Sequence, residues 1–402
     1  MEKAPKRLAR PILAGAAMAV FAGLAALFIE HEAGVTLPAP TGSFAVGRDV
    51  YDWVDAEGSD PVAPAPGIRR ELLVWIWYPA DGKSGALDDY IPSKVLVPAG
   101  RDDLPLLFRL LTADASKVRG HSLRDAAVAP GSFPVAVLRA GGSSDVANYS
   151  ALAEDLASHG YVVVGLDAPY RTRRVVFPDG RVIDRTPENN PELVFGDALE
   201  RRGDRLLDAW TADVGFVLDR LQQLNANPPS GKFAGRLDMT RVGLFGHSFG
   251  GATAADFCSR DSRCKAGIDI DGALHGSVLR TGIQRPFLFL LSGNGDFSSG
   301  AENRKIMAEI QSVYDRLPAE SRLRVVIRGA NHFTFSDDGA LRKSALFRGV
   351  LRLFGRLSLG GRRQVIVTAY CIRSFFDAYL KPTHALPPAL STAAYPEIQI
   401  IR

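Results

Sequence analysis

Short, almost uninterrupted apolar runs alternate with longer amphipathic stretches through the middle of the chain. Residues 72–78, 134–138, 161–166, 241–245, 266–270, 286–291 and 323–327 are hydrophobic runs of strand length. Continuous runs, rather than in/out alternation, are expected of parallel strands covered on both faces. Between them lie helical patterns. In one, Leu206, Trp210, Val214, Val217, Leu221 and Leu224 recur every three or four positions and form one apolar stripe. Strand–helix alternation of this kind predicts an α/β protein: a mostly parallel, doubly wound sheet with helices on both faces.

Three stretches depart from that rhythm. Residues 35–68 are rich in Pro, Gly, Ala and Asp, with Pro38, Pro40, Pro61, Pro64 and Pro66, and read as a linker and irregular lead-in. Residues 171–203 are long, charged and Pro-containing, and follow a strand end where substrate-facing loops belong. Residues 341–380 read as mainly helical. The organisation expected is an N-terminal signal or membrane anchor (1–34), the linker (35–68), a catalytic domain (69–385) and a tail (386–402) without a structural signal. No internal repeat is evident.

The first 34 residues carry the address. Lys3, Lys6, Arg7 and Arg10 precede residues 11–29, which hold no charge. A signal peptide's apolar region runs about 7–15 residues and a spanning helix needs about 20, so this stretch stands at the boundary. Basic residues before it hold the N-terminus in the cytoplasm and place the body outside. The expectation is an extracytoplasmic protein, held by one N-terminal helix touching membrane through residues 11–29, or released after cleavage.

Charge changes the picture little. The formal net charge is +4 over 402 residues, and much of the excess lies in the leader. A nucleic-acid partner is therefore not expected, because it would need a basic stripe on the folded body. Three cysteines are too few for a disulfide scaffold. Cys258 and Cys264 are close enough to pair in an oxidising compartment, or to sit reduced as small buried hydrophobes. None has metal-site spacing.

The chemistry centres on Gly246-His247-Ser248-Phe249-Gly250, a G-x-S-x-G motif directly after the run 241–245 and directly before the small-residue stretch Gly251-Ala252-Thr253-Ala254-Ala255. Strand before and helix after turn the motif into a mechanism: the serine sits on a strained strand-to-helix turn, at a helix N-terminus, in the α/β-hydrolase fold. A serine hydroxyl needs a positioned base. Of seven histidines, His31 belongs to the leader and His384 to the tail. His121 and His159 precede the nucleophile, against this fold's order of serine, acid, histidine. His247 adjoins the serine and is expected to point elsewhere; His275 follows a strand by only a few residues and is the weaker alternative. His332, in Arg328-Gly329-Ala330-Asn331-His332 just after the run 323–327, is the expected base. The acid must lie between Ser248 and His332 at a strand end. Asp271 and Asp296 both qualify on spacing, and Asp269 is read as a structural group facing away from Asp271.

The stretch from Gly246 to Thr253, followed by Cys264-Lys265-Ala266-Gly267-Ile268-Asp269-Ile270-Asp271, resembles the plasma-type (group VII) platelet-activating factor acetylhydrolases and their bacterial relatives. Val74-Trp75-Ile76-Trp77-Tyr78-Pro79, Asp155-Leu156-Ala157-Ser158-His159-Gly160 and the His332 segment are similar to the same family. The resemblance implies that the acid is Asp271 and that the Gly142 and Phe249 N–H groups form the oxyanion hole. Where that family usually shows a His-Gly pair, this chain has Arg139-Ala140-Gly141-Gly142. The expected activity is carboxylic-ester hydrolysis through an acyl-enzyme, with neither metal nor organic cofactor. A small-molecule or lipid ester is the expected partner, and the resemblance suggests short-acyl or phospholipid-type esters. Two alternatives stay open: a non-catalytic binding protein on the same scaffold, and a polyester- or peptide-cleaving serine hydrolase.

Overall fold

A computed structural model describes residues 6–82, 85–92, 110, 114–142, 144–190, 197–226, 231–293, 300–341, 348–349, 353, 359–381 and 390–401. Each apolar run of the sequence becomes a strand. The main sheet comprises β1 (Val35–Thr36), β2 (Ala45–Ser59), β3 (Arg69–Ala80), β4 (Leu87–Asp89), β5 (Val118–Arg124), β6 (Phe133–Arg139) and β7 (Val162–Asp167). A hairpin of β8 (Arg174–Val176) and β9 (Val182–Asp184) stands apart from it. The sheet continues with β10 (Leu237–His247), β11 (Cys264–Ile270), β12 (Phe287–Ser292), β13 (Arg322–Ile327) and β14 (Ile398–Ile401). The spatial order is β1-β5-β2-β3-β7-β6-β10-β11-β12-β13-β14, with β4 on β5. From β7 to β13 all pairs are parallel, so the strands end together at one rim.

The longer helices among the described residues are α1 (Lys6–Glu32), α2 (Ser150–Ser158), α3 (Asp197–Ala226), α4 (Phe249–Arg260), α5 (Gly300–Asp315) and α6 (Gly361–Leu380). Because strand side chains alternate, each run feeds two cores. Ala136, Leu138, Val163, Phe245, Ile268 and Leu290 pack with α2 and α6 on one face. Val135, Val137, Val164, Leu244, Phe289 and Leu291 pack with α3, α4 and α5 on the other. The sheet is thus covered on both sides, as the continuous runs required.

Two parts of the chain are more regular than their composition suggested. Residues 35–68 are not a spacer throughout: β1 joins the sheet edge at Val118 and Arg119, and β2 pairs antiparallel with β3 from Ala45 to Ser59. The prolines that made the stretch look irregular all fall outside 45–59, where Val46 and Trp53 are buried. The expected tail likewise supplies β14, antiparallel on β13. Cys258 of α4 and Cys264 of β11 are joined in a disulfide, and Cys371 is buried and free.

A buried charge cluster ties the rim to α3. Asp213, fully buried, receives the Arg171 guanidinium in two hydrogen bonds at 2.6 and 2.8 Å and has Arg70 at 3.4 Å and Arg139 at 3.9 Å. Arg171 also reaches Asp60 at 2.6 Å. Arg139 lies with its guanidinium carbon 4.1 Å from the Trp210 ring centroid. Removing one partner from such a cluster leaves uncompensated buried charge and costs about 3–5 kcal/mol. Asp213→Ala is therefore expected to lower the urea unfolding midpoint sharply. Retention of the wild-type midpoint would mean that α3 does not depend on this cluster.

Candidate active site

The turn after β10 is tight. Ser248 has φ 56° and ψ −125°, a left-handed backbone that a side-chain-bearing residue rarely adopts. Three glycines make it feasible. A Cβ on Gly246 would lie 2.2 Å from the Gly250 carbonyl oxygen, and one on Gly250 would lie 2.3 Å from the Arg139 carbonyl oxygen. A Cβ on Gly251 would meet the Asp269 carboxyl at 1.9 Å. The Ser248 N–H donates to the Ile270 carbonyl at 2.8 Å, which locks the turn to β11. Phe249 then opens α4, and its N–H belongs to the first helical turn, where backbone donors have no partner within the helix.

Asp271 follows β11 and Ser292 ends β12. Asp271 also has a left-handed backbone, φ 55°. Its Oδ1 accepts the Ser292 N–H at 2.7 Å and its Oδ2 accepts Nδ1–H of His332 at 2.9 Å. With Nδ1 so engaged, Nε2 of His332 is left to accept the Ser248 hydroxyl, 3.1 Å away. Burial pushes the Asp271 carboxyl up. The hydrogen bond and charge of His332, the Ser292 N–H and His247 outweigh burial and hold it below its ordinary value. The structure therefore brings Ser248, Asp271 and His332 into one hydrogen-bonded chain. Asp296, the other acid that spacing allowed, lies outside the described residues, as does His384.

The His332 loop is built from below. Asn331 caps the short helical turn His332–Phe335 by accepting the Phe333 N–H at 3.1 Å. Buried Asp337 anchors the loop to α2, accepting the Ala151 N–H at 3.2 Å and the Tyr90 hydroxyl at 3.2 Å.

Around the N-terminal ends of α2 and α4, the Gly141 N–H donates to the Tyr149 hydroxyl oxygen at 3.1 Å, which removes it from service toward a substrate. The Gly142 carbonyl accepts Arg185 Nη1 at 2.6 Å, so the guanidinium pins this loop from the segment after β9. Sequence reasoning missed Arg185 and Tyr149, neither of which falls in a motif. It also misjudged His247. That ring does not point away from the site: it packs 4.5 Å, centroid to centroid, from the His332 ring, and its Nδ1 is 2.8 Å from the Tyr149 hydroxyl. Asp269, expected to face away from Asp271, instead turns its carboxyl to the residue that follows Asp271, accepting the Gly272 N–H at 2.9 Å. His275 stands off to the side, 5.9 Å from the Phe249 ring.

Burial, reinforced by the charge of His332, pushes His247 down to about 3, against the pull of Asp271 and of the His332 backbone. Linkage gives the sign. Between about pH 6.5 and 3 the unfolded chain protonates His247 and the folded chain does not. Stability tied to this residue is therefore full above 6.5 and falls on acidification, by at most about 1.4 kcal/mol per pH unit. His247→Gln is expected to flatten that part of the acid-side loss. Equal slopes of melting temperature against pH for wild type and variant, from pH 7 to 4, would refute the buried neutral imidazole.

The chain is similar in sequence and fold to known ester hydrolases. Residues 217–357 match the family model described as platelet-activating factor acetylhydrolase, isoform II. A probable 1-alkyl-2-acetylglycerophosphocholine esterase from Arthroderma benhamiae is 26% identical over 343 residues, covering 80% of this chain and 81% of that protein. The platelet-activating factor acetylhydrolase of Cavia porcellus is 26% identical over 221 residues, covering 51% of this chain and about half (48%) of that protein. Among solved structures, a ferulic acid esterase from Streptomyces cinnamoneus superposes with a TM-score of 0.74 at 26% identity, over 92% of this chain and 100% of the other.

Proposed function

We propose, for a chain that is a relative of the platelet-activating factor acetylhydrolases and an ester-bond hydrolase of the α/β-hydrolase fold, that Ser248 is the nucleophile, His332 its base and Asp271 the carboxylate that orients the imidazole. One observation carries the assignment: the unbroken chain from the Ser248 hydroxyl through both His332 nitrogens to Asp271, at 3.1 and 2.9 Å. His332 takes the Ser248 proton as the hydroxyl attacks the ester carbonyl. The imidazolium so formed is stabilised by Asp271 and then protonates the departing alcohol. Water, activated by the same base, releases the acid from the acyl-enzyme.

The developing oxyanion is assigned to the N–H groups of Phe249 and Gly142. Phe249 supports this by its place at the start of α4, where the helix dipole favours negative charge. Gly142 is supported by elimination, since the neighbouring Gly141 N–H is already bound to Tyr149. Each such donor is worth about 2.7–4 kcal/mol in the transition state.

For substrate, the reading is a short-acyl ester, of the phospholipid type named in the relatives from Arthroderma and Cavia. For location, it is an extracytoplasmic body with α1 as anchor or leader. Among the described residues α1 is the helix long and apolar enough to cross a membrane, and Met18, Phe21, Phe28 and Ile29 are exposed on it. The Cys258–Cys264 disulfide supports the same side, because such bonds persist in oxidising compartments.

Ser248→Ala is expected to abolish both hydrolysis of p-nitrophenyl acetate and labelling by a fluorophosphonate. Asp271→Asn should lower kcat by up to about 10⁴-fold and Asp296→Asn should leave it near wild type. A reversal of the last two would move the acid to the later position. Deletion of residues 1–30 should give a soluble enzyme whose kcat/KM falls as the acyl chain lengthens beyond acetyl. A profile that peaks at long acyl chains, or cleavage of peptides instead, would reject the short-acyl reading.

A further inference from the structure

The geometry points to Asp269 as a positioning residue: a buried carboxyl that braces the turn holding Ser248 against the turn holding Asp271. This rests on the triad proposed above. The Asp269 side chain is fully buried. Its Oδ1 accepts the Gly272 N–H at 2.9 Å, fixing the residue that follows the left-handed Asp271. The same oxygen occupies the space of a side chain at Gly251, where a Cβ would come within 1.9 Å, and at Gly272, where it would come within 2.4 Å. A Cβ on Gly272 would also lie 2.4 Å from the Ser248 carbonyl oxygen. That carbonyl in turn accepts the Gly251 N–H at 2.8 Å and the Ala252 N–H at 3.2 Å. One carboxyl oxygen, two glycines and the Ser248 carbonyl thus form a single contact. Through it, the distance between nucleophile and acid is set from beneath.

The brace works without charge. Oδ2 of Asp269 has no hydrogen-bond partner among the described residues, and an unpaired ionised carboxylate is costly at this depth. The strands on either side offer it Gly246 and Phe289 in register, and α4 offers Gly251. Asp271 is the charged group that bears on it. Burial first, and then the negative charge of Asp271, hold its pKa well above the carboxylate range, with the Gly272 N–H pulling the other way. A protonated Asp269 keeps its acceptor for Gly272 and adds no second negative charge beside Asp271.

The test uses the full chain in detergent, with p-nitrophenyl acetate turnover, the rate of fluorophosphonate labelling and thermal melting. Asp269→Asn keeps an oxygen acceptor of the same reach. It is expected to hold kcat within about three-fold of wild type and to leave the acid limb of the kcat/KM profile unmoved. Asp269→Leu keeps a side chain branched at the same atom, though a bulkier one, and loses the acceptor. It should lower kcat and the labelling rate by about 10- to 100-fold with KM changed far less, since sub-ångström misplacement is read in the chemical step. Wild-type kcat in the leucine variant, equal damage in both variants, or a displaced acid limb in the asparagine variant would each overturn the proposal. Should the leucine variant melt below the assay temperature, the asparagine variant decides alone by the same two readings. Ser248→Ala separates the premises: if it still turns over substrate, the triad assignment fails, whatever position 269 does.

Discussion

Everything at the rim depends on one backbone constraint, the left-handed conformation of Ser248 between β10 and α4. A residue with a side chain costs on the order of 1–3 kcal/mol in such a region and stays there only if its surroundings over-determine it. Here they do. The Ser248 N–H is bound to the neighbouring strand, its carbonyl is bound twice by the first turn of α4, and glycines stand wherever the backbone crosses itself too closely for a Cβ. The hydroxyl is then delivered above the sheet at a fixed point, and the base must come to it. It does so because β13 is parallel to β10 and ends at the same rim, so that the loop after β13 arrives beside the loop after β10.

The same economy holds at the other end of the chain. Two residues, Ala33 and Gly34, separate α1 from β1, so the apolar helix leads straight into the sheet edge. The edge itself is secured beyond the helix: β1 pairs with β5, the Leu37 N–H donates to the Arg119 carbonyl, and Arg362 binds the Thr36 and Leu37 carbonyls. Glu32 pairs with Lys117, a surface contact of the kind that contributes little to stability. Body and helix are therefore joined closely, and the sheet edge beside the helix has partners of its own.

How much of this could be read from the residues alone varies with the physical range of the interaction. Every strand announced by a continuous apolar run is present, because burial on both faces writes itself locally into the sequence. The serine turn was legible because its motif is local in sequence and Gly246 answers a contact with Gly250, although Gly250 and Gly251 answer the distant Arg139 and Asp269. His332 was found by elimination and by the order of the fold. The choice between Asp271 and Asp296 was not available from spacing, since each follows an apolar run; Asp271 was favoured by the resemblance, and its hydrogen bond to His332 supports that reading. β2 was hidden because flanking prolines dominate the composition of 35–68, while its own register is set by β3, a partner in another part of the chain. Tyr149, Arg185, Asp269 and the true direction of His247 were beyond reach because each acts on a residue far away in sequence, or through a contact whose other half is backbone.

The charge balance of the rim explains why those long-range partners are polar. Titratable groups lie buried near the ends of β7, β10 and β11, and their surroundings push them apart. His247 is pushed down, Asp167 is pushed up to about 8 by burial and the neighbouring Asp145, and Asp269 is pushed up by burial and Asp271. Asp271 is the one held low, by His332 and the Ser292 N–H. His247 is therefore neutral at neutral pH, Asp167 is mostly protonated, and Asp269 is biased toward its protonated form. They supply hydrogen-bond geometry without a field of their own, and the ionised carboxylate that His332 meets is Asp271. A second charge would act on the imidazolium that the proposed attack by Ser248 forms: a protonated His247, its ring 4.5 Å from that of His332, would repel it. Neutral polar packing around a single ionised acid is thus the electrostatic counterpart of the strained serine turn. The turn fixes where the hydroxyl stands, and the neutral shell fixes which charge the base feels.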